Sequence, residues 1–258
     1  MPSIGSSRII KQFMKELFRT FPPVRLLPPE WHLNIVLSQL MKAPFEPIHR
    51  AELKYITWKV ATLLALTSTR RVSDIQAFTT KEPFFVFSED FIMLRTNPKY
   101  IPKVPSSFHL NEPVILRTFF PNPNTITEKT LHSLDIKRCL KFYLQSTKQI
   151  RKSDQLLVSY SLGRQGAGVT KATIAQWISS TIQLCHTKSG RPLTRHPRAH
   201  STRAVSTSSA LFQGIALDKI CQAATWKTMH SFTQHYCLES SQRTDSLVGQ
   251  AVLRHLFH

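Results

Sequence analysis

The chain has 258 residues, of which 41% are hydrophobic, enough for one domain core of ordinary size. Its 34 lysine and arginine residues outnumber 15 acidic residues, giving a net charge of +19. The sequence contains no apolar run of about 18 residues and no apolar signal-peptide segment, which argues against a membrane span and against secretion. So large a basic excess favours a polyanionic partner such as nucleic acid, although ribosomal, histone-like and membrane-surface proteins share it.

The four cysteines are widely separated along the chain. None belongs to a C-x-x-C pair or has a histidine partner at zinc-ligand spacing. They are therefore expected to be reduced thiols, and the sequence predicts an intracellular protein without a metal site or cofactor. Action on eukaryotic DNA would require entry into the nucleus.

The N-terminal stretch, residues 7–19, has the pattern of an amphipathic helix. Apolar residues recur at helical spacing between Ile10 and Phe18, and basic residues occupy the other face. The segment FPPVRLLPPEW that follows contains four prolines, which do not continue a helix. Residues 1–28 are therefore predicted to be a helix and a proline-rich linker. The helix either docks on a core or is the remnant of a DNA-clamping domain.

A buried helix is predicted from about Ala51 to Leu64, because apolar residues recur at helical spacing. It leads into the segment TSTRRVSDIQAF. There Arg70 and Arg71 stand at the start of another helix, with Asp74 one turn later. Without further information, such an arginine pair indicates a solvated or phosphate-contacting surface.

Short β-like runs come next, separated by turn and proline residues. They lie at residues 84–87, 91–95 and 114–119. This spacing predicts a small antiparallel sheet. Between the second and third runs, RTNPKYIPKVPS carries two lysines, Lys99 and Lys103.

The next part of the chain is predicted to alternate helices with loops. We expect a helix at 135–150, a strand in QLLVSY and another helix at 170–186. The glycine-rich run LGRQGAGV lacks the spacing of a phosphate-binding loop and is predicted to be a flexible surface loop. A basic connection follows, whose cations suit phosphate contacts that position DNA without reading its sequence. These are Lys188, Arg191, Arg195 and Arg198.

Four side chains that can serve phosphate chemistry lie in the segment from His200 to Tyr236. His200 and Arg203 are three residues apart on one helical face, and Trp226 precedes Tyr236. Arginine and indole groups donate hydrogen bonds, histidine can accept a proton, and tyrosine can become a covalent nucleophile. A phosphodiester under attack needs this combination, because negative charge grows on its non-bridging oxygens.

Taken in order, these residues resemble the tyrosine recombinases, the phage-integrase-like site-specific recombinases and topoisomerases. The resemblance rests on a threonine-rich turn followed by Arg-Val-Ser-Asp-Ile, the pattern His-x-x-Arg, a later Trp and then a Tyr. Arg70 stands where the family usually has an apolar or small residue. The wording AATWKTMHSFTQHY is similar to recombinases of DIRS-type retrotransposons. The resemblance extends over about residues 45–245.

The resemblance implies a mainly α protein with a small antiparallel β-sheet (α+β), the tyrosine recombinase catalytic-domain fold. It implies that Tyr236 attacks a DNA phosphate to give a 3′-phosphotyrosyl link, without a metal ion. His200 would assist proton removal, and a lysine on a hairpin would protonate the leaving 5′ hydroxyl. Lys103 is favoured for this lysine and Lys99 is the alternative. The phosphate would be held by Arg71, Arg203 and Trp226, and Asp74 would orient Arg71.

The predicted catalytic domain spans residues 29–245, and a last amphipathic helix spans 246–258. That helix either packs on its own domain or is exchanged between protomers of a homotetramer on double-stranded DNA. Neither a membrane nor a small-molecule ligand is expected as a partner. Integration of a mobile element is the favoured function. The alternatives are a catalytically inactive DNA-binding protein of the same fold and a type IB topoisomerase-like enzyme.

Overall fold

The computed structural model describes residues 7–21, 31–103, 112–226 and 228–238. The chain divides into two compact units, one made of residues 1–28 with 239–258 and the other of residues 29–238. In the first unit the described part is helix α1, Arg8–Thr20, whose apolar side chains are exposed. The predicted helix at 246–258 lies outside the described residues. No described helix is both long and apolar enough to cross a membrane.

The second unit is mainly helical, with one small sheet. Its helices are α2 Leu33–Leu40, α3 Leu53–Ser68, α4 Val72–Ala77, α5 Ile126–His132, α6 Ile136–Thr147, α7 Lys171–Lys188, α8 Ser201–Phe212, α9 Leu217–Ala223 and α10 Met229–His235. The strands are β1 Phe85–Phe87, β2 Phe91–Leu94 and β3 Val114–Arg117. They are antiparallel in the order β1-β2-β3, with Met93 between Val86 and Ile115. This architecture confirms the predicted mainly α class with a small antiparallel sheet.

Helix α3 is the centre of the main core. Nearly every side chain from Ile56 to Leu66 is buried, and the helix packs against α6, α7 and α8. Polar caps fix the starts of the surrounding helices: the Asp135 side chain accepts from the Arg138 N–H in α6, and Thr170 accepts from Thr173 N–H in α7. A second, smaller core lies around α9 and α10.

The predicted strand QLLVSY is wrong, because these residues form isolated bridges only, at Gln155 and Val158. Side chains occupy the backbone groups that a strand would offer to a neighbour. The Arg151 guanidinium donates to the carbonyls of Gln155 (2.7 Å) and Leu156 (2.8 Å). The Tyr143 hydroxyl accepts from the Val158 N–H at 2.8 Å. Continuous burial of this segment therefore reflects a loop packed into the core.

The glycine-rich run is also more constrained than the flexible loop that was predicted. Gly166 is buried with φ of +78°, and a Cβ there would lie 1.6 Å from the Ile150 carbonyl oxygen. Its N–H donates to Ser159 O and its carbonyl accepts from Lys152 N–H, both at 2.8 Å. Only glycine fits this close approach.

Candidate active site

Helix α8 and its N-cap carry two of the predicted site residues. His200 is its N-cap residue and is exposed, while Arg203 lies in its first turn and is 1% exposed. The start of the helix is fixed by Ser201, whose Oγ accepts from the Trp31 Nε1–H at 2.8 Å and donates to the Arg198 carbonyl at 2.6 Å. These bonds hold the His-x-x-Arg pair at a defined end of α8.

Arg203 is a buried cation held between the second core and the tyrosine. Its Nη2 donates to the Ala224 carbonyl, and its Cζ lies 4.8 Å from the Trp226 ring centroid and 5.3 Å from that of Tyr236. Its Nε and Nη1 are buried and have no hydrogen-bond partner among the described residues. Buried donors left unpaired cost free energy, about 1–3 kcal/mol each. An acceptor that is not part of the chain would remove this cost.

The two aromatic residues of the site pack against each other. The ring centroids of Trp226 and Tyr236 are 4.6 Å apart, and those of His200 and Tyr236 are 5.7 Å apart. The indole Nε1 of Trp226 is buried and, within the described part of the chain, also lacks an acceptor. Trp226 is 6% exposed, whereas Tyr236 is only partly buried. One face of the tyrosine is therefore enclosed while the residue still reaches the surface.

Ser208 holds the tyrosine segment on α8. Its Oγ donates to the Tyr236 carbonyl at 3.0 Å and accepts from the Leu238 N–H at 2.9 Å. The Tyr236 N–H in turn donates to Phe232 O at 2.8 Å, at the end of α10. Helix α8 thus positions the histidine, the arginine and the backbone of the tyrosine.

Arg71 is the N-cap residue of α4 and is partly buried. Its N–H donates to Asp74 Oδ2 at 3.1 Å, which is one half of a capping box. The other carboxylate oxygen, Oδ1, accepts from the Tyr100 hydroxyl at 2.6 Å. The positive charge of Arg71 helps to lower the pKa of both Arg203 and His200, so Arg71 acts electrostatically on these two residues.

Arg70 and Tyr100 complete the surroundings of Arg71, although neither was predicted to act there. Arg70 is 9% exposed, its Nε has no partner among the described residues, and its charge also reaches Arg203. Burial lowers the pKa of Arg70, and Asp74 and Glu112 oppose that shift. The arginine doublet at a helix start was the only sequence signal for Arg70.

The two lysine candidates differ in their relation to the site. Both side chains are exposed. The positive charge of Lys103 is among those that lower the pKa of His200, and that of Lys99 is not. The Lys99 N–H donates to Asn97 Oδ1 at 2.9 Å within a turn. Of the two candidates, Lys103 is therefore the one whose charge acts on the histidine.

The cations of the basic connection between α7 and α8 form a group separate from the buried arginines Arg70 and Arg203. Lys188 ends α7, and the other three lie before α8. All four, Lys188, Arg191, Arg195 and Arg198, are exposed. The connection ends at His200, so these cations adjoin the candidate site in the sequence.

Charge and burial set the protonation states of the site. His200 is exposed as a residue, but its imidazole is partly desolvated beside the Tyr236 ring. This desolvation, followed by the charges of Arg203, Arg71 and Lys103, lowers the pKa of His200 below its ordinary 6.5. Burial and then Arg71 lower the pKa of Arg203 to about 10, while Tyr236 opposes that shift. At neutral pH the histidine is therefore a neutral acceptor and Arg203 remains a cation. Among the described residues no group of three or more His, Cys, Asp and Glu side chains is arranged to hold a metal.

Sequence comparison identifies no relative: no protein-family model and no curated protein matches the chain. Structure comparison does find similar folds. XerA recombinase is 17% identical, with a TM-score of 0.55 over 95% of this chain and 73% of its own. XerH site-specific recombinase bound to difH substrate in a pre-cleavage complex is 13% identical, with a TM-score of 0.55 over 88% of this chain and 52% of its own.

A third similar structure is XerH bound to palindromic difH substrate in a post-cleavage complex. It is 14% identical, with a TM-score of 0.54 over 86% of this chain and 53% of its own. This chain therefore spans about half the length of XerH. Similarity at these identities establishes the fold, which is that of a recombinase.

Proposed function

We propose that this chain, which has the tyrosine recombinase catalytic-domain fold, cleaves and rejoins DNA strands at specific sites. The observation that carries the proposal is the set of buried donors on Arg203 and Trp226, beside the ring of Tyr236, that have no acceptor within the described part of the chain. A phosphodiester supplies the acceptors that these donors lack, and its negative charge offsets the burial of the arginine.

In the proposed reaction, Tyr236 Oη attacks a DNA phosphorus. A tyrosyl O–P bond forms and the P–O5′ bond breaks, leaving a 3′-phosphotyrosyl link and a 5′ hydroxyl. The phenolic proton passes to His200, and Lys103 gives a proton to the leaving oxygen. A free phenol has a pKa of about 10, so neutral His200 and two nearby guanidinium groups favour its ionisation.

The remaining residues hold the phosphate and its surroundings. Arg71, Arg203 and Trp226 donate to the non-bridging oxygens, which gain negative charge during attack. Asp74 holds the Arg71 backbone through the 3.1 Å bond. Exposed cations of the basic connection, such as Arg191 and Arg195, contact flanking phosphates and position the duplex.

The covalent link retains the energy of the broken phosphodiester, so a 5′ hydroxyl from a second duplex can reverse the step and exchange strands. Double-stranded DNA is thus the substrate, and we infer a homotetramer that brings two duplexes together. The similarity of residues 223–236 to DIRS-type recombinases supports integration of a mobile element in the nucleus as the biological setting.

Covalent trapping on nicked DNA tests the proposal. The duplexes have randomised sequence and a nick close to each candidate cleavage position. After cleavage, the short fragment that carries the free 5′ hydroxyl diffuses away, so the reaction cannot reverse. We expect the unaltered chain to yield an adduct that survives denaturation, and sequencing of the trapped DNA to identify the preferred site. Nuclease digestion and mass spectrometry should place the nucleotide on Tyr236.

Tyr236→Phe removes the attacking oxygen while keeping the ring contacts, so it should bind DNA and form no adduct. Tyr55→Phe is a control that changes another tyrosine in a different aromatic group, and it should react normally. An adduct with Tyr236→Phe would contradict the assigned nucleophile. DNA binding without any adduct would favour the inactive DNA-binding protein, and supercoil relaxation without recombinants would favour a topoisomerase-like enzyme.

A further inference from the structure

The segment after β2 is a turn that is fastened to α4. The Asn97 N–H donates to the Ala77 carbonyl at the end of α4 (2.8 Å). Asn97 also heads the turn: its carbonyl accepts from Tyr100 N–H at 2.8 Å and its Oδ1 accepts from Lys99 N–H at 2.9 Å. These bonds fix the backbone of residues 97–100 relative to α4, the helix whose N-cap is Arg71.

The Tyr100 side chain adds a second attachment, to the start of α4. Its hydroxyl donates to Asp74 Oδ1 at 2.6 Å, and Asp74 Oδ2 accepts from Arg71 N–H at 3.1 Å. Asp74 is 7% exposed and Tyr100 is partly buried. Burial and the carboxylate raise the pKa of Tyr100 to about 12, so the phenol remains a donor at neutral pH. One buried carboxylate thus joins the arginine to the turn.

Lys103 lies three residues beyond Tyr100, and its charge acts on His200. A lysine has a long, flexible side chain, so its useful position depends on the backbone that carries it. We propose that Tyr100 is a positioning residue for Lys103, because its hydroxyl fastens the turn just before the lysine to the same Asp74 carboxylate that accepts from the Arg71 backbone. This inference rests on the proposed function and assigns it a residue that the recombinase resemblance did not supply.

The experiment must separate a defect in leaving-group protonation from a general loss of structure. A duplex with sulfur in place of the bridging 5′ oxygen does so. When the P–S bond breaks, the electron pair leaves on sulfur as a thiolate, which is a far weaker base than an alkoxide because a thiol such as that of cysteine has a pKa of about 8.5. Cleavage of the sulfur duplex therefore needs no proton from a lysine.

Single-turnover cleavage is compared on oxygen and sulfur versions of the duplex recovered by trapping. Lys103→Ala should be slowed about 10²–10⁴-fold on oxygen, the usual contribution of a general acid, and restored on sulfur. Tyr100→Phe loses only one hydroxyl and should be slowed by up to about 10²-fold on oxygen, as for a misplaced group, and also restored on sulfur. Arg203→Ala should stay slow on both, because its role is to bind phosphate oxygens.

Two controls accompany these variants. Tyr55→Phe should match the unaltered chain on both duplexes. Urea unfolding of Tyr100→Phe shows whether the variant is folded under the assay conditions. Asp74→Asn keeps the size of the side chain but weakens the acceptor for both Tyr100 and Arg71. It should therefore be restored on sulfur only in part, because the phosphate contact of Arg71 is disturbed as well.

A folded Tyr100→Phe that remains equally slow on oxygen and sulfur would overturn its role toward the lysine. The positioning role would also be overturned if the sulfur duplex restored cleavage by Lys99→Ala and not by Lys103→Ala. In both cases an active unaltered chain leaves the recombinase proposal standing. Absence of any adduct with the unaltered chain, on either linkage, would instead refute both proposals together.

Discussion

His200 lies where several positive charges converge. Burial and the charges of Arg203, Arg71 and Lys103 lower the pKa of its imidazole below 6.5. Only a neutral imidazole has a free nitrogen that can accept a proton from a phenol. The cations that are suited to hold a phosphate therefore also keep the proposed base unprotonated.

The acid side of the pH profile should depend on His200. When the protein concentration is far below saturation, the pH dependence of the cleavage rate reports the ionisation of the free enzyme. The rate should then fall only below pH 6.5, where the His200 imidazole becomes protonated. At saturating protein the bound phosphate favours imidazolium, and the midpoint should lie higher. Adduct formation measured from pH 5 to 8, about the range in which histidine titrates, gives both midpoints. His200→Gln should lack this acid limb, and the assignment fails if the limb persists.

The recombinase resemblance could name His200, Arg203 and Tyr236 from the sequence, because their residue types and order along the chain carry the pattern. It could not name Tyr100. The Tyr100–Asp74 bond joins residues 26 positions apart, and an isolated tyrosine between prolines gives no sign of such a partner. For the same reason Arg70 looked like a surface cation until its burial was seen.

At the scale of elements, α3 and α6 are joined to the turn after α2 by an ion network. Lys59 has no exposed side-chain surface, and its Nζ donates to Glu46 Oε1 at 2.6 Å and Leu40 O at 2.9 Å. Arg138 donates to both Glu46 oxygens, at 2.7 and 3.1 Å. Burial would raise the pKa of Glu46, but Arg138 and Lys59 lower it overall. Both cations thus depend on one carboxylate.

Replacing Glu46 should lower the free energy of unfolding far more than replacing Lys59. Glu46→Gln leaves a buried ammonium without a counter-charge, and we expect a loss of about 3–5 kcal/mol in urea unfolding. Lys59→Met removes that charge and fills similar volume, so its cost should be smaller, and it should lessen the effect of Glu46→Gln. Because the pKa of Glu46 is lowered on folding, its contribution is present above pH 4.5 and disappears as pH falls through the folded pKa. Equal losses for both single variants would contradict this ordering.

Helices were predictable where a cap or an apolar period marks them, as for α6 behind Asp135 and α3 within 51–64. The QLLVSY segment was wrongly predicted to be a strand, because a short apolar run is typical both of core strands and of loops that pack into the core. Its outcome depends on Tyr143 in α6 and on Arg151 in the connection just before the segment, whose side chains bind its backbone. Such side-chain hydrogen bonds leave no periodic pattern in the sequence.

At the scale of the whole molecule, the residues of the candidate site come from segments that are far apart in the chain. Arg71 is the N-cap of α4, Lys103 follows the turn after β2, and His200 and Arg203 lie at the start of α8. Segments after α9 and α10 contribute the aromatic rings, which rest on Arg203. Their order along the chain could be read from the sequence, whereas the buried donors that lack an acceptor among the described residues became visible only in the fold.

The net charge of +19 extends well beyond the buried cluster and should make DNA binding strongly salt-dependent. Each phosphate contact releases condensed counterions and adds about 0.9 to the slope of log affinity against log salt. Arg191 and Arg195 are exposed on the connection that ends at His200. If both contact phosphate, the double change to alanine should flatten the slope by about 1.8, twice the contribution of one contact.

Lys141 on α6 and Lys148, the C-cap residue of that helix, are both exposed and provide a control pair with the same loss of charge. Net charge alone would make both double variants alike, because each lowers the protein charge by the same amount. Direct contacts predict that the slope changes only for Arg191→Ala with Arg195→Ala, and by the same amount on every DNA sequence, since phosphates carry no sequence information. Fluorescence anisotropy of labelled duplexes over a range of salt concentrations measures both slopes. Equal slopes for the two double variants would assign the effect to overall charge and remove the basic connection from the proposed DNA path.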